Sequence, residues 1–549
     1  MTSSYIRSSK REFFKNAVES DRNCKELWKH LKDLNSTTKQ NITSLKKDDT
    51  LLTNVKDIVN HLNDHFSTIG SKLIQNPKQT FESEKITSFV NEKISEHVFF
   101  SLYTVTVSDV LKELEDLDSS KSTGLDELGP RILKLSAPII ADSLTHIINL
   151  SLCTCIFPNI LKDARVAALY KGGDDTDVNN YRPISVLPTV SKIFEKLVYK
   201  QLYSYLVRHK LLLKQQSGFR AGHSCNTALI KLIDNWLNEM DKGNFNCALF
   251  LDFRKAFDIV NHEILLSKLR LYRCDDHCIN FFKSYLSDKS QKVKIGQETS
   301  EFKPIHSGVP QGSILGPLLF VIFINDLPLV LKNVNADLYA DDTTIHKSAS
   351  SIDVLNIALN DDFYNIKEWC SENDMVLNTD KTKVMLIGST RRHLENENDV
   401  RIKVDENTFI TSVENQKLLG LYIDKTLSWE AHIDKLCSII VNRLSLMSRI
   451  KLYLSSNSLK LYYNSYILSI MDYCCSVWGN ATKTQINKIY KLQKRAARII
   501  LNVNTETPSS IMFKKLEWLT IYNSIEYFKA IMMYKCMNGL APEYLSELF

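Results

Sequence analysis

Asp341 and Asp342 stand side by side in YADD (Tyr339–Asp342), and a third acid, Asp252, closes the apolar run CALFLD (Cys247–Asp252). Adjacent carboxylates repel. Each must therefore take a raised pKa, find a cation, or sit on a turn that water screens. Clustered hard oxygen donors suit Mg²⁺ or Mn²⁺. Two such ions about 4 Å apart can activate an attacking hydroxyl and offset charge on a leaving oxygen in phosphoryl transfer. A second stretch, SGVPQGSILGP (Ser307–Pro317), sets Gln311 among three glycines and two prolines. Gly308 and Gly312 there allow unusual dihedrals or a close approach of another molecule to the backbone. The plainer reading is a loop leading into the helix Leu318–Phe323.

Positioning three acids together needs a particular scaffold. Cys247–Phe253 reads as a buried central strand with Asp252 at its C-terminal end. Leu338–Ala340 and Thr343–Ile345 flank the acid pair as the arms of a hairpin. Ile352, Leu355, Leu359, Phe363 and Ile366 then mark one helical face, and KVMLI (Lys383–Ile387) a strand, which together make a crossover unit. Arg401–Ile423 predicts further strands around a turn at Asp405–Asn407. Upstream, Ala164–Pro188 predicts a strand, a Gly/Asp turn and an extended segment, between helical patterns at Arg131–Leu150 and Val190–Leu206. Beyond Trp429 the spacing is helical throughout. Residues 1–100 are polar, with helical spacing at Glu26–Leu34, and read as an extension with little core of its own. The whole is an α/β (α+β) chain.

The 549 residues are ample for a large core, with 44% apolar and 24% charged residues, and the net charge of +6 permits a polyanionic partner without demanding one. The twelve cysteines, in a chain whose first residues carry no apolar signal segment, read as reduced thiols. Cys274, His277 and Cys278 have metal-ligand spacing but no matching second half, so they are not expected to bind zinc. The longest apolar run, Ile314–Ile324, is broken by Gly316 and Pro317 and is too short for a bilayer, which needs roughly 20 residues. The chain reads as soluble, with no membrane partner.

LDFRKAFD (Leu251–Asp258), SGVPQGSILGP and YADD resemble, in order and separation, three successive motifs of reverse transcriptases. More narrowly they resemble those of non-LTR, LINE-type elements of the Jockey-like group. NNYRPISVLPTVSKIFEKLV (Asn179–Val198), QQSGFRAGHSCNTALI (Gln215–Ile230), LNTDKTKVM (Leu377–Met385), LLGLYID (Leu418–Asp424) and SYILSIMDYCCSVWG (Ser465–Gly479) extend the resemblance over roughly residues 100–545. It implies a right-hand polymerase with a helical extension at 1–100, fingers and palm at 101–424, and a helical thumb and C-terminal region at 425–549. It also implies an RNA-directed DNA polymerase that uses two Mg²⁺ or Mn²⁺ ions, deoxynucleoside triphosphates, an RNA template and a DNA primer or nicked target DNA. Such a protein works in the nucleus or cytoplasm.

By the same resemblance, Asp252, Asp341 and Asp342 are catalytic and hold the metals, with the carbonyl of Phe253 as a further ligand. Phe257 is the gate against a ribose 2′-OH; its alternative is a core ring. Lys171 and Arg182 hold the triphosphate unless Asp174 and Asp175 pair with them. Gln311 lies against the nucleotide, and Lys381 is a candidate proton donor to pyrophosphate. Leu419 and Gly420 meet the primer; Gly308, Gly312 and Arg220 belong to the template and primer set. Asp258 and His262 read as supporting residues and His223 as structural. Lys488, Lys491, Arg495 and Arg498 form one basic face of the helix Gln485–Leu501, suited to a duplex backbone or simply solvated. The chain has no room for the N-terminal endonuclease of full-length Jockey-like proteins, so a separate endonuclease is an expected partner. The rival expectations are a nucleic-acid-binding relic that is catalytically unused and a group II intron-type reverse transcriptase.

Overall fold

The computed structural model describes residues 42–48, 50–395 and 400–548, with Tyr5, Ser8, Ser9, Glu12 and Phe13. The helical spacing at Glu26–Leu34 falls outside the described residues. The architecture is a mixed α+β one, built on two five-stranded sheets with helices around them.

The first sheet has the order β12-β11-β5-β10-β9, from β5 (Phe245–Leu251), β9 (Asn335–Tyr339), β10 (Asp342–Ala349), β11 (Lys383–Ile387) and β12 (Thr411–Ser412). Every residue of β5 is buried. Phe245, Cys247, Leu249 and Leu251 enter one core, whereas Ala248 and Phe250 enter another. That two-sided burial explains why the strand reads as an unbroken apolar run. β10 and β11 both run antiparallel to β5, one on each side. They are therefore parallel to each other, and the helix Ile352–Glu372 crosses between them with Leu355, Leu359, Phe363 and Ile366 buried.

The second sheet runs β4-β3-β6-β7, with β8 also on β6: β3 (Ala164–Tyr170), β4 (Tyr181–Val186), β6 (Lys289–Ile295), β7 (Glu298–Thr299) and β8 (Lys303–Ile305). The N-terminal segment is more than a helical appendage. A hairpin of β1 (Leu45–Lys47) and β2 (Thr50–Leu52) and the helix Val55–Leu73 bury Leu45, Ile58, Val59, Leu62 and Phe66 against Val166, Tyr181 and Val293 of this sheet. Its apolar stripe needs that outside surface, which local spacing alone does not reveal.

Glu195, on the helix Thr189–Arg208, is fully buried. It accepts from the backbone N–H of Ile314 (2.6 Å) and from Tyr285 Oη (2.9 Å), tying the end of the Ser307–Ile314 loop, where the helix Leu315–Ile324 begins, to the helix Thr189–Arg208. Between Arg401 and Ile410 the expected strands shrink to a bridge, Lys403 with Phe409. The turn is as expected: Asp405 Oδ1 accepts from the N–H groups of Asn407 and Thr408. A final hairpin, β13 (Asn415–Leu418) and β14 (Leu421–Asp424), leads into the helical region. There Asp424 accepts from the N–H groups of Ser428 and Trp429 (2.9 and 2.8 Å), fixing the start of the helix Glu430–Ile450. Among the described residues no helix is long and apolar enough to cross a membrane.

Candidate active site

The register sets the acids. β10 pairs with β5 from Ala349↔Phe245 to Thr343↔Leu251, so the next step outward puts Asp342 across from Asp252. β9 and β10 close at Tyr339↔Asp342, leaving Ala340 and Asp341 as the turn, with Ala340 at φ 59°. A positive φ at a non-glycine residue costs energy and must be held in place by its surroundings. Burial, then the neighbouring charges of Asp341 and Asp252, pushes the Asp342 carboxyl up to about 6. Burial also raises Asp341, while Arg182 and Lys171 pull it back. The three acids thus share one edge and feel each other's charge.

Asp252 Oδ2 accepts from Asn378 Nδ2 at 2.9 Å. Among the described residues no three His, Cys, Asp or Glu side chains are drawn together closely enough to hold a metal ion as they stand. The donor set nevertheless fits hard divalent cations, being acceptor-only oxygens under mutual repulsion. Phe253 bridges Leu377 through the flanking bonds Arg254 N–H to Val376 O and Asn378 N–H to Asp252 O. In that pattern the bridged residue's own carbonyl faces the other flank, here the one carrying the β9–β10 hairpin.

Several residues that sequence reasoning did not single out hold this edge. Gln216 Oε1 accepts from the N–H of Ala340 (3.0 Å) and of Gly218 (2.7 Å). Ser217 N–H donates to Leu338 O, and Leu338 N–H to Gln215 O. A Cβ on Gly218 would lie 2.2 Å from the Ala340 nitrogen, so only glycine fits beneath the turn. Thr382 Oγ1 accepts from Asp252 N–H at 3.2 Å. The only sequence signal for these roles was their place inside QQSGF and LNTDKTK.

Facing the acids are cations. Leu169↔Arg182 is a register pair of β3 and β4, and Lys171 follows directly, with its N–H on Asn180 O. Asp174 pairs instead with Lys46 at 2.8 Å. Among the described residues neither Lys171 nor Arg182 has an ion pair or a side-chain hydrogen bond. Burial and then Arg182 hold the Lys171 ammonium below its ordinary value, and Lys255 and Lys381 add to the effect. Lys255 was missed by the sequence reading. It sits at φ 51°, and its Nζ is buried with no hydrogen-bond partner. Gln311 Nε2 donates to Asp258 Oδ1 at 2.7 Å, and His262 Nε2 bonds Gly308 O at 2.8 Å.

Other expected site residues have intramolecular tasks. A Cβ on Gly308 (φ 84°) would meet Asp258 O at 2.6 Å, and one on Gly312 (φ 128°) would meet Ser185 O at 2.2 Å. On the side where a Cβ would stand, the body that approaches these glycines is the chain itself. Arg220 Nη1 donates to Leu213 O (2.8 Å) and Gln216 O (3.0 Å), bracing its own loop. His223 bonds Ala221 O at 3.0 Å. Phe257 is half-buried, stacked on Phe320 with ring centroids 4.1 Å apart. Leu419 and Gly420 (φ 45° and 88°) form the β13–β14 turn, and Tyr473 Oη donates to Leu419 O at 2.7 Å. On the helix Lys483–Leu501, Lys488 pairs with Asp434 (2.6 Å) and Arg498 Nη2 donates to Thr505 O (3.3 Å). Lys491 and Arg495 are left exposed.

Residues 170–423 match the family described as reverse transcriptase (RNA-dependent DNA polymerase). The chain is 27% identical over 434 residues to a probable RNA-directed DNA polymerase from transposon BS of Drosophila melanogaster, covering 77% of this chain and 47% of that one. It is 30% identical over 414 residues to the RNA-directed DNA polymerase from mobile element jockey of the same fly, covering 73% and 44%. It is 27% identical over 419 residues to the fly's probable RNA-directed DNA polymerase from transposon X-element, covering 74% and 45%. The chain thus spans about half the length of these curated relatives.

Proposed function

We propose, from the match of residues 170–423 to the reverse transcriptase family and the similarity of the wider chain to RNA-directed DNA polymerases of fly mobile elements, that this protein extends a DNA primer 3′-OH on an RNA template. In this reading the β3–β4–β6 sheet serves as fingers, the β5 sheet as palm and the helices beyond Trp429 as thumb. Asp252, Asp341 and Asp342, with the Phe253 carbonyl, would hold two Mg²⁺ or Mn²⁺ ions. When bound, these activate the primer hydroxyl and offset charge on the transferred phosphoryl.

The remaining residues bind and orient. Lys171, Arg182 and Lys255 grip the triphosphate, with Arg182 able to offer a bidentate fork. Lys381 stands in reach of the same charges and can return a proton to pyrophosphate. Asp258 orients the Gln311 amide against the nucleotide. Phe257, fixed by its stack on Phe320, excludes a ribose 2′-OH. The Leu419–Gly420 turn meets the primer, and Lys491 and Arg495 meet the duplex backbone. Substrates on this account are deoxynucleoside triphosphates, an RNA template, and a DNA primer or a target nicked by a separate endonuclease.

The observation that carries the proposal is the register placing Asp342 opposite Asp252, beside a turn bearing Asp341 and across from unpaired cations. The test is extension of oligo(dT) on poly(rA) with Mg²⁺, with an Asp341→Asn/Asp342→Asn control. Extension by the wild type and none by the control is expected. Binding without extension by the wild type would leave the relic reading instead.

A further inference from the structure

The segment Gln215–Gly218, which supports the acid hairpin, is itself gripped from a distant part of the chain. Tyr544, on the short helix Glu543–Ser546, lies outside the residues that match the family. It is half-buried, and the two residues its hydroxyl touches, Ser217 and Thr227, are buried. Its Oη stands 3.2 Å from Ser217 Oγ, 327 residues away in sequence, and 3.4 Å from Thr227 Oγ1. A hydroxyl has one proton to donate. Thr227 gives its proton to Ser224 O at 2.9 Å, so it accepts from Tyr544. Tyr544 then has none left for Ser217, whose hydroxyl must donate to it. Among the described residues Ser217 Oγ has no other hydrogen bond.

The ring of Tyr544 makes a second connection. Lys231 Nζ lies 5.0 Å from its centroid, within cation–π range, and pairs with Asp337 of β9 at 2.6 Å. Ser217 grips the same strand through its backbone N–H, which donates to Leu338 O. Tyr544 thus touches two residues that each hold β9 just before the Ala340–Asp341 turn. His223 packs on the same ring in a T, with centroids 5.7 Å apart. Around this contact Glu543 pairs with Lys210 and Lys214 at 3.6 Å each, and Glu547 with Lys214 at 3.1 Å. Those pairs are exposed and contribute little. They orient the short helix, and the tyrosine makes the link inward.

We infer that Tyr544 is a positioning residue for the acid hairpin: by holding Ser217 and Lys231 it fixes the stance of β9, and through it that of Asp341 and Asp342. Its effect on the reaction rests on the polymerase reading; its effect on the hairpin does not.

The experiment is amide hydrogen exchange on the whole chain, which reports local opening, paired with extension of oligo(dT) on poly(rA). The amides to follow are Leu338 N–H, on Gln215 O, and Ala340 N–H, on Gln216 Oε1. In Tyr544→Ala their exchange should quicken about tenfold, while the amides of β3 and β4 keep the wild-type rate. Tyr544→Phe keeps the ring over Lys231 but leaves the buried Ser217 hydroxyl without its acceptor, and should quicken them about threefold. Tyr544→Ala should also lower kcat about tenfold with the nucleotide KM in place, as a displaced metal-holding hairpin requires. Wild-type exchange at Leu338 and Ala340 in Tyr544→Ala would refute the role. Equal quickening in β3 and β4 would mean general loosening and refute it as well, as would a quickened hairpin with an unchanged kcat. If the wild type does not extend the primer, the polymerase reading falls, and the exchange rates still decide whether Tyr544 holds the hairpin. If Tyr544→Ala does not fold, Tyr544→Phe decides alone, and unchanged exchange there overturns the assignment.

Discussion

The two flanks of the cleft are built in opposite ways. On the acid flank, side-chain hydrogen bonds and one close backbone approach do the placing. Gln216 holds the Ala340 N–H, Gly218 leaves no space for a side chain, and Asn378 and Thr382 hold both ends of Asp252. On the basic flank, Lys171, Arg182, Lys255 and Lys381 reach in on long side chains, and Asp258, an acid that acts on both Lys171 and Lys255, is tied to Gln311. The difference follows from what each flank would bind. A divalent ion demands ligand oxygens at fixed short distances, so small errors there are expensive. A triphosphate carries its own geometry and needs mainly positive charge within reach.

That contrast predicts unequal sensitivity. The largest effect should come from Asp252→Asn. Loss of a metal's charge stabilisation is worth several kcal/mol, so extension should fall by about 10³-fold or more, with template–primer affinity unchanged. Extension near the wild-type rate would remove the acid flank from the mechanism. Gly218→Val should come next. It forces a side chain against the Ala340 nitrogen at a cost of roughly 1–3 kcal/mol. Extension should drop about 100-fold or less in kcat while nucleotide KM holds. On the other flank, Lys171→Gln should act on KM. A charged hydrogen bond contributes about 1.5–3 kcal/mol, so KM for the nucleotide should rise roughly tenfold or more with kcat nearly constant. A fall in kcat alone would mean that the basic flank is as position-sensitive as the acid one.

How far the sequence discloses these flanks depends on whether a feature is local. The central strand, the acid hairpin and the crossover helix are written in apolar spacing, which burial on one or two faces imposes directly. The hairpin Leu45–Leu52 and the docking of Val55–Leu73 are not, because their apolar stripe matches a surface more than 100 residues away. The site divides in the same way. Asp252, Asp341 and Asp342 announce themselves by type and spacing. Gln216 and Asn378 do not, since a buried amide's task depends on which backbone group folding delivers to it. Gly308 and Gly312 were legible as points of close approach, but what approaches them, Asp258 and Ser185, depends on the tertiary fold. Lys255 looked like one surface lysine among many until the fold buried it beside three other cations.

The smallest effect isolates what burial alone does to a carboxylate. Asp472, in the helical region, has a buried Oδ1 with no hydrogen-bond partner, and burial by itself pushes its carboxyl up to about 6. It is the acid flank without the neighbouring acids. Its folded pKa lies above the unfolded value of about 3.9. The native state therefore holds the extra proton between those values, and stability falls as pH rises from about 4 to 6 and stays lower above. The full shift would be about 3 kcal/mol, but the group is only partly shielded, so about 1–2 kcal/mol is expected. Asp472→Asn carries no charge to desolvate. By denaturant midpoint it should be more stable than the wild type by that amount at pH 7.5, with the gap closing near pH 4. An equal midpoint at both values would mean that burial does not lift this acid. The raised Asp342 would then have to be charged to its neighbours alone, and the acid flank would owe its strain to repulsion rather than to its depth in the fold.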